Sequence, residues 1–297
     1  INSINADCTK KHKFTMKKII LFTDCLGAGG AQRQLVGLAI MLKEKDYNVT
    51  VATYHNIDFY KKQLDDAGVR NLVIPNGSNK KTRIWAVRTF LKKERPDWVV
   101  SYQETPSLLA CIAKVTGCKF RLIVSERNTT QAVGMNERVR FFLYRWADAI
   151  VPNSYAQENY LTSHYPWMQK KLKTITNFVD LDYFSFIERK KRKVPEIVIA
   201  ATIWSSKNRN SRFHVSWYGK SNIDMDYYNE SLQKIQEYGI QDYIELKDKT
   251  KQIKNVYHNA DLFCLPSFYE GTPNVICEAI STGLPVACSD VCDNYIY

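Results

Sequence analysis

Two glutamates, Glu270 and Glu278, stand in the part of this chain best suited to bind a ligand. Glu270 follows the apolar run of residues 260–266, which is typical of a buried strand. Glu278 falls on the second turn of the helix predicted to come next. At the carboxyl edge of a parallel sheet, a helix N-terminus offers N–H groups to anions, and carboxylates accept hydrogen bonds from sugar hydroxyls. The pair therefore indicates a site for a sugar nucleotide.

The limits of that helix are marked by residue types with known positional preferences. Thr272 suits the N-cap and Pro273 the first helical position, while Gly283 marks the end of the helix. Gly271 and Thr272 are therefore predicted to form the turn between strand and helix.

The segment from Glu270 to Val286 reads E-G-x-P-N-x-x-x-E-A-x-x-x-G-x-P-V. It resembles the donor-site signature of the retaining glycosyltransferases of bacterial group one, family four. That family has the α/β GT-B fold, in which two Rossmann-like, doubly wound domains face each other across a cleft. The resemblance implies that Glu270 contacts the donor sugar near the reacting carbon and that Glu278 holds the ribose hydroxyls. It also places on the donor side Gly271, Thr272 and Asn274. The structural alternative is a solvated loop carboxylate and an ordinary early-helix glutamate.

A glycine-rich loop between the first predicted strand and the first predicted helix is the second candidate. Gly29 and Gly30 lie in D-C-L-G-A-G-G-A-Q-R, where a backbone can approach a phosphate closely. A dinucleotide-binding enzyme would need glycine where Gln32 stands and an acid at the end of the second strand, residues 48–55. G-G-A-Q-R instead resembles the family's first-domain loop, which implies that the two glycines approach the donor diphosphate and that Arg33 lies on the acceptor side.

Three further apolar runs in the first half, within residues 98–103, 121–128 and 147–154, end in polar residues and alternate with helical segments. This order predicts a parallel α/β sheet. Glu126 and Arg127 directly follow an apolar strand, where unpaired charges are rarely buried. Either they pair with each other or they line the cleft on the acceptor side, as the resemblance implies.

The resemblance also assigns the group that neutralises the donor diphosphate. Family members carry an arginine at the end of the second domain's first strand and a lysine five residues later. Lys207 matches the lysine and joins Glu270 as a catalytic candidate, but Thr202 occupies the arginine position, and a hydroxyl cannot replace a bidentate cation. Only residues 204–212 separate that strand, residues 196–203, from the next, which is short for a parallel crossover.

Three segments are predicted along the chain. Residues 1–15 are polar and patternless, as in a mobile extension. Residues 16–187 are predicted to form the acceptor-side Rossmann-like domain, and residues 188–297 an incomplete nucleotide-sugar-binding one. The charge run at residues 189–193 is predicted to be a solvated connector.

The net charge of +12 lies in the first part of the chain. Residues 1–187 carry 28 Lys and Arg against 16 Asp and Glu, whereas residues 188–297 carry 14 of each. Such a field favours an anionic partner, and the resemblance implies a lipid-diphosphate acceptor at an anionic membrane surface. Nucleic acid is the competing class, but no helix-turn-helix, RNP-like or zinc pattern accompanies the charge. Residues 137–146 mix bases with aromatics and fit either a membrane interface or a core-facing helix.

Composition agrees with two α/β domains, since 297 residues of which 45% are hydrophobic suffice for two cores. No apolar stretch reaches the ~18 to 20 residues of a spanning helix, and no secretory signal pattern is present. The eight cysteines lack C-x-x-C spacing, so free thiols in a cytoplasmic protein are expected. No D-x-D element follows a strand near either loop, so no metal or other cofactor is expected.

Taken with the resemblance, these residues imply a hexosyltransferase. It would move a hexose from a nucleotide-diphosphate sugar to a saccharide or lipid-linked saccharide with retention, in surface polysaccharide synthesis, as a peripheral membrane protein. One alternative is a catalytically inactive sugar-nucleotide or polysaccharide-binding remnant of the family. Another is an epimerase or phosphorylase of the same fold.

Overall fold

A computed structural model describes residues 17–127, 134–189, 192–199, 213–220, 225–268 and 270–296. The predicted extension at residues 1–15 lies outside them, as do Thr202 and Lys207. Contacts group the chain into two compact units, Ile1–Ser125 with Gly134–Ile150 and Glu126–Val133 with Val151–Tyr297. The domain boundary between residues 187 and 188 stays a prediction.

The first unit is built on a six-stranded sheet in the order β3-β2-β1-β4-β5-β6. Its strands are β1 (Lys18–Phe22), β2 (Asn48–Thr53), β3 (Arg70–Val73), β4 (Trp98–Tyr102), β5 (Arg121–Glu126) and β6 (Ala149–Pro152). β1 pairs in parallel with both β2 and β4. From β1 the strands therefore follow one another outward in opposite directions, β1 to β3 on one side and β4 to β6 on the other. The carboxyl edge at such a switch point is where ligands of open α/β sheets bind.

Helices cover both faces of this sheet. They are α1 (Gly30–Glu44), α2 (Lys61–Asp66), α3 (Arg83–Glu94), α4 (Glu104–Val115), α5 (Met135–Leu143) and a 3-10 turn (Tyr144–Trp146). Right-handed crossovers place α1 and α2 on one face and α3, α4 and α5 on the other. The packing agrees, because α1 contacts α2 while α4 contacts both α3 and α5. Arg140 on α5 forms a salt bridge of 3.2 Å with Glu104 on α4.

The core of the first unit explains why its first strand folds as predicted. Ile20, Leu21 and Phe22 are almost completely buried, as expected for a strand covered on both faces. Leu35 and Val36 of α1 pack in the same cluster as Leu21.

The second unit has a five-stranded parallel sheet in the order β11-β10-β7-β8-β9. Its strands are β7 (Glu196–Ile199), β8 (His214–Lys220), β9 (Ile244–Asp248), β10 (Leu262–Leu265) and β11 (Val286–Cys288). Its helices are α6 (Tyr155–His164), α7 (Met225–Glu237), α8 (Ile253–His258) and α9 (Asn274–Ser281), with 3-10 turns at Pro166–Lys171 and Asn294–Ile296. The predicted short crossover at residues 204–212 lies outside the described residues.

The prediction that residues 189–193 form a solvated connector is wrong for Arg189. Its guanidinium donates to the carbonyls of Tyr257 (3.0 Å), Ala260 (2.6 Å), Thr282 (3.1 Å) and Gly283 (3.0 Å). These carbonyls follow or end α8 and α9, where unpaired helix carbonyls attract a cation. Burial lowers the pKa of Arg189, although the side chain stays fully charged at neutral pH. The charge run thus contributes an anchor for two helices.

Candidate active site

Glu278 is a buried carboxylate on α9. The helix buries Ile276 and Ala279, and Glu278 lies beside them with a relative exposure of 2%. The phenol of Tyr257, itself fully buried at the end of α8, donates to Oε2 of Glu278 at 3.4 Å. A carboxylate in such a place is costly without hydrogen-bonding partners, so Glu278 is a candidate for a functional role. Its burial shows that it does not lie on the exposed face of the helix.

Glu270 follows β10 after a short loop and is half-buried. Burial raises the pKa of Glu270, and a hydrogen bond with Ser267 opposes that shift. A carboxyl group with a raised pKa is a candidate for contact with a reacting group.

The turn between the two glutamates is tightly packed. A side chain at Gly271 would meet the amide of Asn153 at 2.9–3.0 Å and the carbonyl oxygen of Arg127 at 3.3 Å, so only glycine fits without displacement. Thr272 is buried, and its hydroxyl donates to the carbonyl oxygen of Asn153. The predicted N-cap role of Thr272 is therefore wrong. α9 begins one residue later than predicted, at Asn274, after an extended Pro273.

A chain of hydrogen bonds within the second unit holds this turn. Nη1 of Arg127 donates to Oδ1 of Asn177 at 2.9 Å, and Nδ2 of Asn177 donates to the carbonyl oxygen of Thr272 at 2.6 Å. The backbone N–H of Asn153 donates to the carbonyl oxygen of Glu126 at 3.0 Å. Glu126 is buried, in accord with its apolar strand. The structure thus brings two residues expected on the acceptor side together with the donor turn.

The glycine-rich loop lies in the first unit, before α1. Gly29 occupies the N-cap with an extended backbone, Gly30 is the first helical residue, and Arg33 donates its backbone N–H to the carbonyl oxygen of Gly29 at 3.0 Å. A side chain at Gly29 would collide with Oε1 of buried Gln32. The packing of Gln32 against the loop therefore also requires a glycine at position 29.

Asp24 organises the same loop, a role that sequence reasoning missed. Its Oδ1 accepts hydrogen bonds from the backbone N–H of Cys25 (2.6 Å) and from Nε2 of Gln32 (3.1 Å). Its backbone carbonyl accepts from the N–H groups of Tyr54 and His55. Burial, together with the negative charge of Asp24, raises the pKa of Tyr54 to about 12. Tyr54 therefore remains a neutral phenol at this edge of the sheet.

Gln103 is a strained residue at the switch point between β1 and β4. Its φ of +73° and ψ of 168° lie in a region that is essentially restricted to glycine. Oε1 of Gln103 accepts a hydrogen bond from the hydroxyl of Thr23 at 2.9 Å, across the two strand ends. Strain of this kind persists where the surrounding structure enforces it, frequently at functional sites. The sequence carries no signal for it, since glutamine has no preference for such a backbone.

Comparison with known proteins decides the family. Residues 28–183 match the model described as "Glycosyltransferase Family 4", and residues 185–296 match "Glycosyl transferases group 1". The first match alone spans more than half of the chain. The chain belongs to glycosyltransferase family 4. The resemblance to this family and the predicted transferase class are therefore confirmed.

Two curated relatives show the extent of this similarity. One is the "GalNAc-alpha-(1->4)-GalNAc-alpha-(1->3)-diNAcBac-PP-undecaprenol alpha-1,4-N-acetyl-D-galactosaminyltransferase" of Campylobacter jejuni, 25% identical over 292 residues that cover 89% of this chain and 77% of the relative. The other is the "Amylovoran biosynthesis glycosyltransferase AmsD" of Erwinia amylovora, 23% identical and covering 92% of this chain and 81% of the relative.

Solved structures establish the fold. HepE of Anabaena, crystallised with UDP and glucose, superposes with a TM-score of 0.77 at 17% identity, covering 94% of this chain and 82% of HepE. WaaG, a glycosyltransferase of lipopolysaccharide biosynthesis, gives a TM-score of 0.66 at 13% identity, covering 92% of this chain and 81% of WaaG. These likenesses confirm the predicted GT-B fold class. Among the described helices of this glycosyltransferase, none is long and apolar enough to cross a membrane.

The donor-side candidates of the motif lie together in the second unit, on or just before α9: Glu270, Gly271, Thr272, Asn274 and Glu278. Gly29, Gly30 and Arg33 lie in the first unit. Lys207 lies outside the described residues. Sequence reasoning missed Tyr257, Asn153 and Asn177 as partners of this site. Only Asn153 carried a signal, as a polar residue directly after an apolar strand.

Proposed function

We propose that this glycosyltransferase moves a hexose from a nucleoside-diphosphate sugar to a saccharide carried on a lipid diphosphate, with retention of configuration, in surface polysaccharide synthesis. The observation that carries the proposal is the buried Glu278, held by Tyr257 on the helix that follows the strand edge. Glu270 stands eight residues earlier, at the entrance to the same helix.

The proposed donor site uses α9 and the turn before it. The carboxylate of Glu278 accepts hydrogen bonds from the ribose hydroxyls, and Tyr257 fixes the orientation of that carboxylate. The first N–H groups of α9, beginning at Asn274, face outward along the helix axis and donate to the diphosphate. The hydrogen-bonded turn at Gly271 and Thr272 keeps the helix N-terminus in place, which limits the reorganisation needed on binding.

In the proposed reaction, the bond between the anomeric carbon and the diphosphate oxygen breaks while the acceptor hydroxyl attacks from the same face. The diphosphate takes the electron pair of the broken bond, and the acceptor proton passes to the departing diphosphate oxygen. Positive charge develops on the sugar, and the proposed role of Glu270 is to stabilise it with an ionised carboxylate. In this scheme the ammonium group of Lys207 neutralises part of the negative charge of the diphosphate. No resident metal or cofactor is required.

The proposed acceptor is anionic and lipid-linked. The Campylobacter relative is named for a diphosphoundecaprenol-linked acceptor and the Erwinia relative for amylovoran biosynthesis. The excess positive charge before residue 188 suits such a substrate. Glu126 and Arg127 are proposed to contact the acceptor, with Arg127 also supporting the donor turn through Asn177.

A donor panel tests the proposal. The purified chain is incubated with UDP-glucose, UDP-galactose, UDP-GlcNAc or UDP-GalNAc and a polyprenyl-diphosphate-linked saccharide, with and without EDTA, and the product anomer is identified by NMR. We expect transfer from one of these α-linked donors to give an α-glycoside, undiminished by EDTA. A β-glycoside would contradict retention. Nucleotide binding without any transfer would favour the inactive remnant, for which Thr202 in the arginine position is the supporting observation.

A further inference from the structure

Arg83 is a half-buried cation at the start of α3, in the first unit. Its Nε donates to the carbonyl oxygen of Gly77 at 2.7 Å, and its Nη2 donates to that of Ser78 at 2.9 Å. Within the part of the chain that the structure describes, no Asp or Glu forms a salt bridge with Arg83, and no group accepts a hydrogen bond from its Nη1. The guanidinium therefore keeps its positive charge and one edge of N–H groups for another acceptor.

The structural arginine of the second unit differs from Arg83 in how its donors are used. Arg189 makes five hydrogen bonds through its three guanidinium nitrogens, so its side chain is fully engaged by the fold. Arg83 gives its loop only the edge formed by Nε and Nη2. The loop therefore orients Arg83 without using the donors at the end of the side chain.

The loop between β3 and α3 is built to hold that orientation. A side chain at Gly77 would meet Cβ of Tyr54 at 2.7 Å, so only glycine lets the loop pack there. Asn76 has a φ of +59°, and its carbonyl oxygen accepts a hydrogen bond from the hydroxyl of Thr82 at 2.9 Å. The two carbonyls that bind Arg83 follow directly after Asn76, so their positions are set by this closed loop.

Aromatic side chains border the guanidinium. It lies 4.3 Å from the centre of the ring of Tyr54, which directly follows β2, and Nη2 lies 3.5 Å from Nε2 of His55. Burial, with a contribution from the charge of Asp24, raises the pKa of Tyr54 to about 12. The ring is therefore a neutral phenol that attracts the cation through its face and leaves the positive charge of Arg83 uncompensated.

We infer that Arg83, on the ring of Tyr54 and beside His55, binds the carboxylate of an acidic sugar in the acceptor. The inference rests on the proposed transfer to a saccharide and names the chemistry of that saccharide. The paired N–H groups of a guanidinium edge match the two oxygens of a carboxylate. The place also fits, because the carbonyl oxygen of Asp24, at the start of the glycine-rich loop, accepts hydrogen bonds from the backbone N–H groups of Tyr54 and His55. The site thus adjoins that loop at the carboxyl edge of the first sheet.

A diphosphate fits this place less well than a carboxylate. It carries more than one negative charge, whereas Arg83 is the cation that the loop holds in position. Lys80 and Lys81 of the same loop are exposed, and no described group binds their ammonium groups. The single charge of a carboxylate is matched by one guanidinium.

Two glycosides that differ in one carboxylate test the inference. Methyl α-D-glucuronide and methyl α-D-glucoside are titrated against the full chain by ligand-observed NMR, without a donor, so that binding is measured apart from transfer. We expect the glucuronide to bind about ten- to hundredfold more tightly to the wild type. Arg83→Gln should abolish this preference. Arg83→Lys keeps the charge but not the paired N–H groups, so it should retain a smaller preference.

Lys81→Gln is the matched control, since it removes one positive charge from the same loop and should keep the preference of the wild type. Thermal unfolding checks that each variant folds, and the comparison of the two glycosides on the wild type needs no variant. Equal or undetectable binding of the two glycosides to the wild type would overturn the inference. So would a preference that survives Arg83→Gln, an equal loss in Lys81→Gln, or displacement of the glucuronide by inorganic diphosphate that binds more tightly.

The inference and the proposed function fail in different ways. Transfer to a neutral acceptor, with equal binding of the two glycosides, would refute the carboxylate site and leave the transferase function intact. The expected preference for the glucuronide without transfer to any acceptor would uphold the site and contradict the function.

Discussion

The phenol of Tyr257 lies 3.4 Å from Oε2 of Glu278, and both side chains are buried. The two residues come from α8 and α9, and Arg189 binds the carbonyl oxygen of Tyr257 as well as the carbonyls that end α9. The orientation of the proposed ribose-binding carboxylate is thus coupled to the packing of two helices through one arginine.

Replacing Tyr257 by phenylalanine tests the coupling at Glu278. Tyr257→Phe keeps the ring packing but removes a hydrogen bond to a carboxylate, so the affinity for a bound nucleoside diphosphate should fall about three- to tenfold, or about 0.7–1.4 kcal/mol. Calorimetric titration measures this. Tyr243→Phe, which removes an exposed phenol in the same unit, should leave the affinity unchanged. Equal affinities for Tyr257→Phe and the wild type would show that this phenol has no part in binding.

Replacing Arg189 tests the anchor itself. Arg189→Met leaves four helix-end carbonyls without their cation and should lower the free energy of unfolding by about 2 kcal/mol. Arg189→Lys keeps the charge but cannot reach the same set of carbonyls, so an intermediate loss is expected. Thermal unfolding gives both values. The control is Arg192→Met, since Arg192 is exposed and donates to the carbonyl of Asn259. If Arg189→Met and Arg192→Met unfold alike, the anchor is refuted.

Glu270 makes stability depend on pH. Because burial raises its pKa in the folded state above the ordinary 4.5, the folded chain binds more protons between the two values. Stability should therefore fall as the pH rises through that window and stay lower above it. Glu270→Gln removes this dependence, so the variant should unfold at a higher temperature than the wild type at pH 7 while losing transfer activity. Glu237→Gln, at an exposed helix position, is the control. A Glu270→Gln variant that is less stable at pH 7 would contradict the burial effect.

Gln103 allows strain to be separated from side-chain contact. Gln103→Ala and Gln103→Gly both remove the hydrogen bond with Thr23, but only glycine relieves the φ of +73°. The glycine variant should be about 1–3 kcal/mol more stable than the alanine variant. Denaturant unfolding of the pair gives the difference directly. Equal stability of the two variants would mean that the backbone at this position is not strained.

Local sequence patterns predicted the parallel α/β architecture and the position of Glu278 on the second turn of its helix. They succeeded because apolar runs and glycine stops depend on neighbouring residues, as at Gly283, which ends α9 with a φ of +74°. They failed where the local structure depends on a partner that is far away in the sequence. The hydroxyl of Thr272 bonds Asn153, 119 residues away, instead of capping α9, and Arg189 reaches helix ends about 70 to 90 residues further along the chain.

The helix at residues 137–146 shows a different limit of the sequence. Its mixture of bases and aromatics fitted either a core-facing or an interfacial helix, and the pattern alone left both open. In the structure Phe141 and Tyr144 are buried, while Phe142 and Trp146 are exposed. The helix therefore has one buried and one exposed aromatic face. Only its packing against α4 shows which aromatic side chains belong to each face.

Thermal protection by nucleoside diphosphates tests the central claim, that Glu278 binds the donor ribose, most directly. UDP, GDP, ADP and TDP are screened for the one that raises the unfolding temperature of the wild type most, and Glu278→Gln and Glu237→Gln are then measured with it. At a ligand concentration of about 100 Kd the protection amounts to about 2.7 kcal/mol. We predict that Glu237→Gln keeps this protection and that Glu278→Gln loses most of it while still folding. Equal protection of Glu278→Gln and the wild type would contradict the assignment.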